Sequence, residues 1–379
     1  MHEQDTRQAA LSQLERTESY LAADPDNARL LAAVVDQALA AGLSERAAIH
    51  AEAARARHPD DDVLAARLGN VMLAQRRHAE AAALFDALLA RRPDPVLAFN
   101  AAYARHMQGL HGEALALLQA HADALPPQGV LLLVRLLHLE GDPEQALAVA
   151  LRARARCGDD PALLAAASLA ALDSNDLDQA RALADAALAG PARPAEALVT
   201  AGSLALARMD GEAAEALLQE VVAARPEEGR AWSALGMGSL LRRDLRAART
   251  QLETALRFLP GHIGTLHSLG WCLLFDGDRA GSRAAFERAL GLDRNFGESH
   301  GGLAVVLALS GERDEAERAI ERALGLDPQG LAARYAQMVL GGQTEDPERF
   351  RQLARRLMQT RQGAFGRTLA DLLDAYQSR

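Results

Sequence analysis

The chain contains no lysine, and all 41 of its basic residues are arginine. This removes Schiff-base chemistry, a phosphate-loop lysine and a lysine general base from the reactions it could run. Cysteine is nearly as scarce. Cys157 and Cys272 stand far apart and outside any C-x-x-C pair, so no disulfide framework is indicated and a reducing, cytoplasmic location is expected. Aromatic residues make up 4% of the sequence, which starves a β-sheet of the side chains it favours. Apolar runs are short: the longest, such as 162–172, fall below the roughly 20 residues that a membrane-spanning helix needs. The opening MHEQDTRQAALSQLERTESY lacks the apolar stretch of a secretory signal. A basic excess is missing too. Lys+Arg 41 against Asp+Glu 51 leaves a net charge of −10, which argues against a general nucleic-acid binder, since such a protein needs a basic face to displace counterions from phosphates.

What is abundant is alanine and leucine, a composition suited to closely packed helices. The stretch 229–262, GRAWSALGMGSLLRRDLRAARTQLETALRFLPGH, organises the rest. Trp232, Leu235 and Gly236 mark one helix, and Ala248, Leu252 and Ala255 a second, ended by Pro260. Neither helix can bury its apolar stripe alone, so the unit has to stack on copies of itself. The copies are there. The small residue opening each second helix falls at Ala47, Ala81, Ala114, Ala146, Ala180, Ala214, Ala248, Ser282 and Ala316, at intervals of 34, 33, 32 and then 34 throughout. Proline follows the second helix at Pro25, Pro59, Pro93, Pro226, Pro260 and Pro328, where it stops the helix by removing a donor and restricting the residue before it. Between the helices lie turn signals: Ala41-Gly42, Gln108-Gly109, Gly141-Asp142, Asn175-Asp176, Gly277-Asp278 and Ser310-Gly311. Glycine there supplies a left-handed residue, and the Asp, Glu or Ser beside it can cap the next helix. A Leu-Gly pair recurs inside the first helix as Leu68-Gly69, Leu235-Gly236 and Leu269-Gly270, varied to Leu303-Ala304.

A 34-residue period with W-x-x-L-G early, A-x-x-x-(F or L) in the middle and proline near the end resembles the tetratricopeptide repeat. The resemblance covers about 28–330, strongest over 229–330 and degenerate in the units beginning near Pro95 and Pro127. It implies an all-α fold, a right-handed solenoid of about nine helix pairs. Residues 1–27 are expected to be an N-terminal capping helix, 28–330 the repeats, and 331–379 C-terminal caps that include helices at 347–359 and 364–377. End units must be atypical because a terminal apolar face would otherwise meet water.

Catalytic signatures are absent: there is no G-x-x-x-x-G-K-[ST], H-E-x-x-H, G-x-S-x-G or G-x-G-x-x-G. Two histidine clusters are the candidates for a metal site. His106, His111 and His121 are spaced by five and ten, and His267 and Cys272 by five with His300 further on. Neither places ligands at i, i+4 on one helical face, so no metal and no organic cofactor are expected. Asp159-Asp160 and Glu227-Glu228 precede first helices, where the dipole favours negative charge.

What remains is surface. In the stack implied by the resemblance the first helices line a concave groove, and residues three or four apart on their inner face meet a ligand. That face should carry Arg230, Ser233, Met237 and Leu241, then Gly264, His267, Trp271 and Phe275, then Glu298, Gly301, Val305 and Leu309, then Tyr335. Trp271 is expected to anchor a partner there, whereas Trp232 is expected to be buried in the packing column. Toward the N-terminus the matching face offers Asn70, Phe99, Asn100, Tyr103 and Met107. Some relatives grip a peptide's C-terminal carboxylate with two asparagines and several basic residues. Asn70 and Asn100 fall where those asparagines would, but Ala66, Gln128 and Leu132 occupy the cationic places. The expected function is therefore a non-enzymatic scaffold or adaptor holding a peptide or helix of another protein, with a homo-oligomer also open. The alternative is a regulatory or substrate-recruiting subunit of an enzyme complex, for example in glycan modification or secretion, with catalysis on another chain. RNA binding, as in related helical repeats, conflicts with the acidic balance, and neither nucleic acid nor a membrane span is expected.

Overall fold

The computed structural model describes residues 2–344, with side chains from residue 8 onward. The helices expected at 347–359 and 364–377 lie outside the described residues. Among the described residues the protein is all α, with twenty α-helices, one short 3-10 turn at Ala122–Ala124 and no strand. It divides into two compact units, Met1–Ala170 and the residues from Ala171 onward. In the first, α1 (His2–Ala23) precedes α2 (Ala28–Ala40) with α3 (Ser44–Arg57), and α4 (Asp62–Ala74) with α5 (His78–Arg91). There follow α6 (Pro95–His106) with α7 (His111–Gln119), and α8 (Pro127–Leu139) with α9 (Pro143–Cys157). The division falls inside α10 (Pro161–Asp173), which α11 (Leu177–Leu188) follows. The second unit continues with α12 (Ala195–Ala207) and α13 (Gly211–Ala224), α14 (Gly229–Leu241) and α15 (Leu245–Phe258), α16 (Ile263–Phe275) and α17 (Arg279–Leu292), then α18 (Gly297–Ser310) and α19 (Arg313–Leu326). It closes on α20 (Leu331–Leu340). Within each unit, α10 aside, each first helix packs on its own second helix, which packs on the next first helix, the arrangement of an α-solenoid.

The helix ends follow from local chemistry. Asn27, Asp61 and Asp94 each accept hydrogen bonds from two backbone N–H groups of the first helix they open. Asp210, Asp244 and Asp278 do the same for second helices, each accepting from the third residue on. Helices end two residues before the proline at Pro25, Pro59, Pro93, Pro226, Pro260 and Pro328. The turn between paired helices needs one left-handed residue. Gly42, Gly109, Gly141, Gly277, Gly311 and Asn175 supply it, with φ between 58 and 85°.

Three turns reach the same geometry without glycine or asparagine: Arg76, Met209 and Arg243 sit at φ 61, 61 and 63°. The sequence gives no sign of these, because the flanking helices impose the turn whatever residue occupies it. A Cβ in this conformation costs roughly 1–2 kcal/mol, while glycine adds up to about 1 kcal/mol of unfolded-chain entropy. Arg243→Gly and Met209→Gly are each expected to stabilise the fold by a net of about 0.5–1 kcal/mol. Urea denaturation of each variant beside wild type checks this, and an equal or lower midpoint would contradict it.

The core is a column of size-matched pairs, each joining a first-helix residue to one sixteen positions later on the second helix. A Cβ on Gly69 would lie 2.6 Å from the Phe85 ring, one on Gly236 2.5 Å from Leu252, and one on Gly270 2.8 Å from the Phe286 ring. Where the first helix brings a larger residue the second brings a smaller one: Ala304 stands with Ile320, and Val134 with Ala150, all buried. Packing at interior density explains the trade, since neither a void nor an overlap is tolerated. Outside the core, Glu18 of α1 accepts from Arg46 and bonds His50 Nε2 at 2.9 Å, both on α3. The Arg46 guanidinium holds the Glu18 carboxyl below its usual range. Among the described residues no helix is long and apolar enough to cross a membrane.

Candidate functional site

In the first unit the expected face carries a polar and an aromatic part. Asn100 Nδ2 donates to Asn70 Oδ1 at 3.0 Å, across successive first helices. The Asn70 amide and the Asn100 carbonyl keep further hydrogen-bonding capacity. Phe99 and Tyr103 lie tilted together with ring centroids 6.3 Å apart, and Tyr103 and Met107 are exposed.

In the second unit the expected residues separate into three groups. Met237 is 42% exposed, Leu241 39% and Phe275 62%, on the successive first helices α14 and α16. Trp271 and Tyr335 are half-buried, both packed against the cluster around Val305, Leu307 and Ile320. Trp271 also meets Phe286 edge-on at 5.7 Å and Phe275 at 6.1 Å. Val305 is fully buried. The groove position expected for Val305 is therefore corrected, because α20 packs over that side of α18. Gly301 lets it approach, since a Cβ there would lie 2.9 Å from that of Ala332. The equivalent positions Met237, Trp271 and Val305 thus pass from exposed to half-buried to covered. Lower down the same helices, Arg230 pairs with Asp173 at 2.8 Å, and buried Ser233 Oγ lies 2.7 Å from Thr265 Oγ1.

The two tryptophans do not divide as expected. Trp232 is half-buried rather than enclosed, its Nε1 donating to the Pro226 carbonyl at 2.8 Å. A buried indole N–H usually finds a partner, and this one lies in the loop between repeats.

His267 is a positioning contact between repeats. Its Nε2 bonds Ser299 Oγ at 2.7 Å, and its ring lies 5.3 Å from Phe296 and 5.8 Å from Phe286. Burial lowers its pKa to about 4. The unfolded chain, with a histidine near 6.5, binds the proton first. The stability from keeping His267 neutral is thus present above about pH 6.5 and lost as pH falls toward 4, at most roughly 3 kcal/mol because part of the ring reaches water. His267→Gln is expected to lose stability less steeply than wild type between pH 7 and pH 4.5. Equal slopes in urea denaturation at those two pH values would contradict this.

The other histidines and Cys272 take separate partners. Cys272 Sγ donates to the Leu245 carbonyl at 3.4 Å, and His300 Nε2 bonds the Arg294 carbonyl at 2.9 Å. His121 Nδ1 bonds the Leu117 carbonyl at 3.0 Å. Spacing alone missed one approach. α6 ends at His106 and the chain reverses through Gly109, which brings His106 Nδ1 within 3.0 Å of His111 Nδ1. Burial, with His111 and Arg135 nearby, lowers the His106 pKa. Among the described residues no three His, Cys, Asp or Glu side chains gather as a metal site would require.

The family model for the tetratricopeptide repeat matches residues 66–129 and 268–330, one stretch in each unit. Both stretches are tetratricopeptide repeats. Those matches fall on α4–α8 and α16–α19, and the same pair geometry fills the span between them. No curated protein sequence matches the chain. Solved structures do. PilF of Pseudomonas aeruginosa is 19% identical over 58% of this chain and 98% of its own, with a TM-score of 0.44. MamA is 19% identical over 42% and 93%, with a TM-score of 0.36. YrrB, described as a tetratricopeptide-repeat protein with an unusual peptide-binding site, is 19% identical over 50% and 97%, with a TM-score of 0.37.

Proposed function

We propose that this tetratricopeptide-repeat protein is a non-enzymatic scaffold that holds a peptide or helix of a partner protein against the first helices of its second unit. The observation that carries the reading is the apolar row of Met237, Leu241 and Phe275, exposed on adjacent first helices in a chain with few aromatic residues. Exposed apolar side chains grouped in one place, with a methionine and an aromatic ring among them, suit an adaptable protein contact. Trp271 supports the row from beneath, through its contact with Phe275. Asn70, Asn100, Phe99 and Tyr103 offer a second, more polar contact in the first unit. With two unpaired cysteines, a reducing compartment such as the cytoplasm suits the protein.

Affinity capture from the native cell tests this, with wild type beside a Met237→Ser/Phe275→Ser double variant. Because both side chains are exposed, the variant should melt within about 0.5 kcal/mol of wild type yet lose a captured protein by at least about 2 kcal/mol of affinity. Unchanged capture with unchanged melting would reject this face. Trp271→Ala is the poorer test, since Trp271 also packs inside the repeat stack.

A further inference from the structure

We propose that the edge of the second unit where its second helices end is a further docking surface, separate from the first-helix face, and that it takes a partner segment carrying carboxylates among large apolar side chains. In the first unit α3 and α5 close on Arg57 and Arg91, and α13 closes on Ala224. α15 and α17 close instead on Phe258 and Leu292, which are 43% and 50% exposed. Phe296, which opens α18, is 41% exposed. The three follow one another along the edge. The loop after Phe258 reaches Leu292, whose Cδ2 lies 3.9 Å from the place of a Cβ on Gly261, and Phe296 comes four residues after Leu292. The Phe296 ring is held by His267, with centroids 5.3 Å apart.

The charges along this edge identify the occupant. Arg288, one turn before Leu292, reaches back to the loop after Phe258, its Nη2 donating to the Pro260 carbonyl at 2.6 Å. Arg322 Nη2 donates to Asn295 Oδ1 at 3.0 Å, next to Phe296, and Arg294 stands exposed in that loop. Among the described residues none of these three guanidinium groups has a carboxylate partner. On the outer face, by contrast, Arg249 pairs with Glu253, and Arg283 with Glu287, Glu312 and Glu315. The acids nearest the row do not neutralise it. Asp293 caps the Asn295 N–H at 2.8 Å, Asp327 caps that of Gln329 at 2.9 Å, and exposed Glu321 does not pair with Arg322 beside it. A chain of net charge −10 thus sets three arginines without ion pairs around three exposed apolar side chains. Arg288 and Arg322 each spend a donor on a neutral oxygen, which steadies the guanidinium and leaves further N–H groups for a carboxylate. The apolar side chains supply contact area and the arginines select the partner's charge. A short acidic segment suits this edge better than an anionic bilayer. The three side chains are at most half exposed, too little to enter a headgroup layer. The negative charge of the whole chain opposes a broad anionic surface, whereas a segment feels only charges within a Debye length of about 8 Å.

Pools of short labelled peptides titrated against the full chain test the proposal. One pool randomises its positions among Asp, Glu, Phe and Leu; matched pools replace the acids by Arg and Lys, or by Ser and Asn. The acidic pool should bind about tenfold more tightly than the neutral pool, and the basic pool more weakly than either. Arg288→Glu with Arg322→Glu should reverse the order of the acidic and basic pools. Phe296→Ser should weaken the acidic pool by about thirtyfold, the hot-spot threshold. All the substituted side chains are exposed, so melting should stay close to wild type. Met237→Ser with Phe275→Ser should leave the acidic pool's binding unchanged, which separates this edge from the first-helix face. Equal binding of the three pools would overturn the proposal. So would an acidic preference that survives Arg288→Glu with Arg322→Glu but is lost in Met237→Ser with Phe275→Ser. Cosedimentation with vesicles of phosphatidylcholine and phosphatidylglycerol is the remaining arm. Vesicle binding that the arginine reversal abolishes, with no preference among the peptide pools, would assign the edge to a membrane and overturn the proposal equally.

Discussion

Phe286→Ala is expected to destabilise the second unit by about 3–5 kcal/mol, the usual range for removing a large core aromatic. The ring is fully buried on α17 and is held from several directions. Gly270 lies against it from its own first helix and Gly302 from the next, while Trp271 meets it in a T-shaped contact at 5.7 Å and His267 lies tilted to it at 5.8 Å. No neighbour is positioned to refill the space, because the glycines have no side chains to move and α16 and α18 are fixed by their other contacts. In a stack of repeats the loss falls on α16 to α19 rather than spreading evenly. Urea denaturation followed by hydrogen exchange measures both points. A loss below about 1.5 kcal/mol, the cost of a tolerated volume-conserving swap, would mean that the repeat closes around the cavity.

The opposite change should be nearly as damaging. Gly302→Ala adds one methyl group whose carbon would lie 2.2 Å from the Phe286 ring, well inside any real contact. A flexible side chain could yield, but this ring is held on its other side by Gly270, where a Cβ would lie 2.8 Å away. The helices must therefore separate, at an expected cost of about 2–3 kcal/mol. The two positions should be strongly coupled. Phe286→Leu combined with Gly302→Ala is expected to recover most of the loss, because equivalent columns of this protein already hold Leu218 with Ala234, both buried. Chemical denaturation of the two single variants and the double variant gives the coupling energy directly. Additive losses would show that the close contact is relieved some other way.

Much of the fold was legible because the repeat makes each local signal recur. The residues that open helices, the prolines that end them and the small residues between helices return every 34 positions, so one unit read correctly predicts the rest. Even the degenerate units fold as pairs: α7 is short and followed by the turn Ala122–Ala124, yet Ala114 and Leu118 remain buried in their columns. Of the candidate site, Met237, Leu241 and Phe275 could be placed on one row because the resemblance implies which face lines the groove and helical spacing then picks the residues on it. The histidine pair His106–His111 could not, because the approach is made by a chain reversal and not by one helical face.

By itself, the sequence determined the period, the helix ends, the caps and the column to which each apolar residue belongs. These depend on interactions within one repeat, where spacing along the chain is spacing in space. Only the tertiary structure decided how much of each column water can reach. Met237, Trp271 and Val305 hold the same place in three successive repeats, yet one is exposed, one half-buried and one enclosed. At Val305 the next first helix, α20, packs over the position, and Gly301 permits that approach, since a Cβ there would lie 2.9 Å from that of Ala332. The left-handed turns at Arg76, Met209 and Arg243 belong with these: two packed helices fix the path between them, and the residue in the turn follows.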